Sequence, residues 1–140
     1  MVQNIDMEIW NTRENLVSEK RRAKLMQINI QTKNFTLLEV QGRVVGQDAL
    51  VLKTMLEEHI QGLETQDGTP TLIFDMTKVQ AMDSAGLGVL ITTSTQIRQK
   101  GGRTLLVNVS RGIKRMMIRT NLTSLFDFPK NLAEAIASSL

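Results

Sequence analysis

The chain has 140 residues, 41% of them apolar and 22% charged, with a net charge of +3. That length fits one domain able to bury about two-thirds of its unfolded surface. With no cysteine and one histidine, His59, it is not equipped for disulfides, thiolate metal centres or cysteine nucleophiles, and it is poorly supplied for histidine acid/base chemistry. The apolar runs are a few residues long, against the ~18 needed to span a bilayer. The opening residues carry Asp6 and Glu8 and no apolar h-region, so they do not read as a signal peptide. A cytoplasmic protein without membrane insertion is expected. Aromatics make up 4%, with no tyrosine, too few for a base-stacking surface.

Residues 1–24 differ from the rest. Ile5, Ile9, Leu16 and Val17 form a loose helical stripe beside the charged Glu19-Lys20-Arg21-Arg22, and the segment reads as an N-terminal extension. From Leu25 the pattern changes. Residues 25–30 and 35–40 are strand-like and flank Thr32-Lys33-Asn34, which predicts a hairpin. Gly42 and Gly46 break the chain next. Ala49, Leu52, Leu56, Ile60 and Leu63 then recur at helical spacing. After the loop Gln66-Asp67-Gly68-Thr69-Pro70, Thr71-Leu72-Ile73-Phe74 reads as a short buried strand ending near Asp75, with a loop to follow. A long helix opens at Asp83 or Ser84, with Leu87, Leu90, Ile91, Ser94 and Ile97 on one face, and Gly101-Gly102 stops it. Thr104-Leu105-Leu106-Val107 is a second buried strand. Residues 111–120 form a helix burying Ile113, Met116 and Met117. Residues 125–128 suggest a short edge strand, and Leu132, Ala135 and Ile136 a closing helix. The order predicts an α/β fold: a mixed, mostly parallel sheet of about five strands, with helices packed on it and at least two of them on one face.

The informative stretch runs from Phe74 to Leu90. It delivers Asp83 and Ser84 to a helix N-terminus, where both are good caps for unpaired amides. Gly86 and Gly88 leave the first turn without bulk, so that another backbone can approach. A phosphate on Ser84 would meet the positive end of the helix dipole. From the residues alone, the serine is either a cap or a displayed acceptor. A nucleophile elbow is excluded because position 82 is methionine, and a dinucleotide fingerprint because Gly86-Leu87-Gly88 continues to Ile91.

The run Asp83-Ser84-Ala85-Gly86-Leu87-Gly88-Val89-Leu90 follows Leu72-Ile73-Phe74-Asp75-Met76 and precedes Gly101-Gly102. Together these residues resemble the STAS domain of bacterial anti-sigma factor antagonists. Residues 109–116 and 121–126 are also similar to that family, so the resemblance covers residues 25–140. It implies a non-enzymatic regulator that needs no cofactor or metal and takes part in partner switching. Its unmodified form would bind a GHKL-type serine kinase anti-sigma factor, and phosphorylation of Ser84 would release it. A metal-dependent serine phosphatase would reverse the modification. The resemblance places partner contacts at Asp83, Ser84, Ala85, Gly86, Leu87 and Gly88, and leaves a homodimer open. It also admits a free STAS subunit of a transporter, or a switch acting on a target other than a sigma factor.

Two departures from the family pattern stand out. Ala85 replaces the Ser or Thr that many members have after the acceptor, and Gly42-Arg43-Val44-Val45 lacks an acid that many members carry there. Elsewhere, Arg111, Arg115 and Arg119 line one helix face with Lys114 alongside, and read as solvated without a nucleic-acid partner. His59 reads as a surface residue, and Met116 and Met117 as core.

Overall fold

Alternation along two neighbouring strands organises the molecule. In the computed structural model, which describes residues 25–63 and 70–140, Leu72, Phe74 and Leu106 point to one face of a sheet, while Ile73, Leu105 and Val107 point to the other. Strands buried on both faces read as unbroken apolar runs, and a strand's side chains alternate between faces. Four strands form the sheet: β1 (Met26–Gln31), β2 (Thr36–Val44), β3 (Thr71–Met82) and β4 (Arg103–Val107), side by side in that order. The β1–β2 hairpin is antiparallel, and β2, β3 and β4 are parallel.

The long helices α1 (Gln47–Leu63) and α2 (Ser84–Gln99) lie on one face. Ala49, Leu52, Leu56 and Ile60 of α1 meet Leu87, Leu90 and Ile97 of α2 over Leu38, Val40, Leu72 and Phe74. Ile113 and Met117 of α3 (Arg111–Arg119) join this core. On the other face, the short α4 (Leu132–Ala137) sets Ala135 against Phe35, Leu37, Ile73, Leu105 and Val107. The helix stripes, the hairpin and the placing of two helices on one face match the sequence reading. The N-terminal extension lies outside the described residues.

Two strands run further than their composition suggests. β2 continues through Gly42, whose φ of 81° other residues would not adopt cheaply, beside an irregularity in its pairing with β3, and ends at Val44. β3 continues past Asp75 to Met82, because β2 offers it backbone partners along the whole stretch. Lys78 and Gln80, which read as loop residues, are exposed positions on that strand. The edge strand expected at residues 125–128 shrinks to a 3-10 turn at Thr123–Leu125 and a single parallel bridge between Leu105 and Asp127.

Candidate functional site

The long β3 and the chain end of β2 carry their loops to the same end of the sheet, and Asp83 joins them. Asp83 is the N-cap of α2: its Oδ1 accepts a hydrogen bond from the Gly86 N–H at 3.0 Å. Its Oδ2 accepts from the Gly46 N–H, also at 3.0 Å, in the turn between β2 and α1. One carboxylate therefore fixes the N-terminal ends of both long helices. The Gly86 N–H first, and the Gly46 N–H next, stabilise its ionised form and hold the carboxyl below the usual range.

Ser84 opens the helix proper and is exposed, as is Ala85. Because Asp83 takes the capping role, the Ser84 hydroxyl is not needed to satisfy the helix end. Gly86 and Leu87, expected among the partner-contact residues, are buried and turned inward. A methyl group on Gly86 would overlap the Val44 carbonyl oxygen. The backbone that approaches this glycine is thus the chain's own β2 end, whereas a methyl on Gly88 would meet nothing within 4 Å. The six residues accordingly divide into a displayed set (Ser84, Ala85, Gly88), a strut (Asp83) and a buried support (Gly86, Leu87).

Beside Ser84, a shallow groove of about 290 Å³ runs between α1 and α2. Ala85, Gly88 and Thr92 line one wall, and Gly46, Leu50 and Lys53 the other. Leu50 is 61% exposed. Sequence reasoning missed this wall, although there was a signal for it: Leu50 is an apolar residue off the stripe that Ala49, Leu52 and Leu56 define.

The remaining sequence candidates lie elsewhere. Arg111, Lys114, Arg115 and Arg119 are exposed on α3, with the Lys114 ammonium 5.1 Å from the centroid of the Phe128 ring. His59 is half-buried rather than on the surface, since its position borders the α1 stripe; burial pushes its pKa down. No group of three His, Cys, Asp or Glu side chains among the described residues could hold a metal ion. No described helix is long and apolar enough to cross a membrane.

Comparison with known proteins places this geometry. The STAS domain profile matches residues 27–135. A Thermotoga maritima protein assigned to the anti-sigma factor antagonists superposes with a TM-score of 0.69 at 18% identity, over 85% of this chain and 96% of that one. The Bacillus cell fate determinant SpoIIAA in its phosphorylated form gives a TM-score of 0.62 at 21% identity, over 81% and 97%. The murine anion transporter Slc26a9 gives 0.64 at 15%, over 79% of this chain and 18% of its own. At these identities the structural likenesses establish the fold.

Proposed function

The chain belongs to the STAS domain family, and on that premise we propose that it is an anti-sigma factor antagonist in a partner-switching pathway, with Ser84 as its phosphoacceptor. In this reading it performs no catalysis. Unmodified, it docks on a GHKL-type serine kinase anti-sigma factor through Ser84, Ala85, Gly88 and the adjoining α1–α2 groove. Phosphorylation releases it, and a metal-dependent serine phosphatase restores it, in the cytoplasm. The observation that carries the reading is the division of labour at the start of α2: Asp83 caps the helix and Ser84 stands exposed beside a groove.

The physics is local. Phosphorylation adds a charge of about −1.5 to −2. The helix dipole tolerates that charge where it stands, so no refolding is required. A partner carboxylate about 5 Å away would be repelled by roughly 3 kcal/mol per unit charge pair at an effective dielectric of 20. That corresponds to on the order of a hundredfold in affinity.

The test uses the full chain as bait in an extract of its source cells, in parallel with the Ser84→Asp variant. The unmodified chain is expected to retain a GHKL-type kinase, which on addition of ATP yields one phosphopeptide containing Ser84. Modification confined to other residues defeats the site assignment. Retention of transporter subunits in place of a kinase favours the second reading, a free STAS subunit of a transporter, which the likeness to an anion transporter's domain supports.

A further inference from the structure

We infer that the outer edge of β1 pairs with the β1 of a second copy of this chain, joining two four-stranded sheets into one. The two edges of the sheet are treated differently. Beyond β4, the Leu106 N–H donates to the Asp127 carbonyl at 2.9 Å and the Asp127 N–H to the Thr104 carbonyl at 3.0 Å, so that edge is guarded. Among the described residues, β1 pairs with β2 alone. Its sequence, Met-Gln-Ile-Asn-Ile-Gln, holds neither a charge nor a proline, two of the protections of an open edge, and its one bulge, at Asn29, leaves both isoleucines exposed. Ile28 and Ile30 are 49% and 40% exposed there.

The register says what shape of occupant fits. Ile28 stands opposite Leu38 and Ile30 opposite Leu37, with a bulge between them. Leu38 belongs to the core under α1 and α2, and Leu37 to the core under α4. The two isoleucines therefore flank the edge on opposite faces of the sheet. A helix laid on either face would cover one of them, whereas a strand set alongside covers both.

Charge identifies the strand. One folded back from the chain just before β1 would bring Glu19, Lys20, Arg21 and Arg22 against the isoleucines. A second β1 is uncharged and apolar at the matching positions. Two identical strands pair antiparallel about a two-fold axis, which closes the assembly at two copies. The axis reverses the strands, so the two Ser84 sites face opposite ends of the joined sheet and both stay open. The inference is independent of what binds at Ser84.

The experiment is sedimentation velocity on the full chain from about 10 to about 500 µM, a range suited to an interface smaller than the roughly 1,200 Å² of stable complexes. A concentration-dependent dimer is expected. Ile28→Lys and Ile30→Lys, both at exposed positions, should weaken it at least about tenfold with unchanged far-UV circular dichroism. A monomer throughout the range, or a dimer that survives both lysines, overturns the inference. Hydrogen exchange separates the occupants. Protection of β1 amides that rises with protein concentration supports a second copy. Protection that is independent of concentration means the chain covers its own edge, and also overturns it.

Discussion

Gly86 and Gly88 lie two residues apart in one helical turn, and the same substitution at each should act with opposite sign. An ideal Cβ on Gly86 would overlap the Val44 carbonyl oxygen and stand 2.7 Å from Met82 Cγ and 3.2 Å from Val44 Cγ1. The first obstacle is backbone, not the end of a flexible side chain, so either the start of α2 or the end of β2 must move. Overpacking of this kind costs about 1–3 kcal/mol, and a rigid obstacle argues for the upper end. Replacing glycine by alanine within a helix returns about 1 kcal/mol. The net loss is about 2 kcal/mol, or about 8 °C in Tm at about 4 °C per kcal/mol for a chain of this size. On Gly88 the same Cβ meets nothing within 4 Å. Gly88→Ala therefore keeps the helical gain and should raise Tm by about 4 °C. Thermal unfolding followed by circular dichroism, under one buffer and scan rate, reads both. A shift of the same sign in the two variants, or a Gly86→Ala protein within about 1 °C of the parent, would refute the packing argument.

Ser84→Ala should bind the partner kinase as the unmodified chain does, and Ser84→Asp on the order of tenfold or more weaker; titration calorimetry checks this, and equal affinities reject local repulsion. Asp83→Ala loses both the Gly86 and the Gly46 hydrogen bonds, while Asp83→Asn keeps an acceptor for one, so Tm should fall in the order parent, Asn, Ala. The depressed Asp83 pKa contributes stability that is present above pH ~3.8 and lost as pH falls through the folded value, so both variants should show a flatter acid limb in denaturant titrations. His59 is the sole histidine, and burial lowers its folded pKa beneath the 6.5 of an exposed ring. The folded state then binds fewer protons, and stability should fall as pH drops below about 6.5. His59→Gln should remove that slope between about pH 7 and about pH 5, and an unchanged slope rejects the assignment.

The helices and the buried halves of the strands were legible because burial is written in periodicity. Ala49, Leu52, Leu56 and Ile60 mark one stripe, and Leu72-Ile73-Phe74 a strand covered on both faces. The second half of β3 was not legible. Lys78 and Gln80 are polar because that part of the strand faces solvent, and its strand character comes from the partner β2 offers, which lies far off in sequence. Gly42 read as a breaker because glycine often ends a strand, whereas here the strand runs through it. At the site, the serine and its capping acid could be read from local sequence. The Gly46 link could not, since it joins residues 37 apart. His59 was misread because a single residue beside a stripe can fall on either side of the waterline.

The parallel pairing of β3 with β4 stops at Asp75, but its pairing with β2 goes on to Met82. Over this stretch β2 spends five residues, about 17 Å at ~3.3 Å each, while β3 needs seven, so the extra residues are taken up as irregularities that add coil. Ser84 therefore stands at the end of a two-stranded extension that runs past the level at which the last strand ends, with Val44, Met76 and Val79 seated in the core. Height matters to any visiting catalytic cleft, which can close around a hydroxyl on a promontory without striking the shoulders of the domain. A change in the curl of that extension would re-aim the serine only by shifting Val44, Met76 and Val79 in the core beneath it.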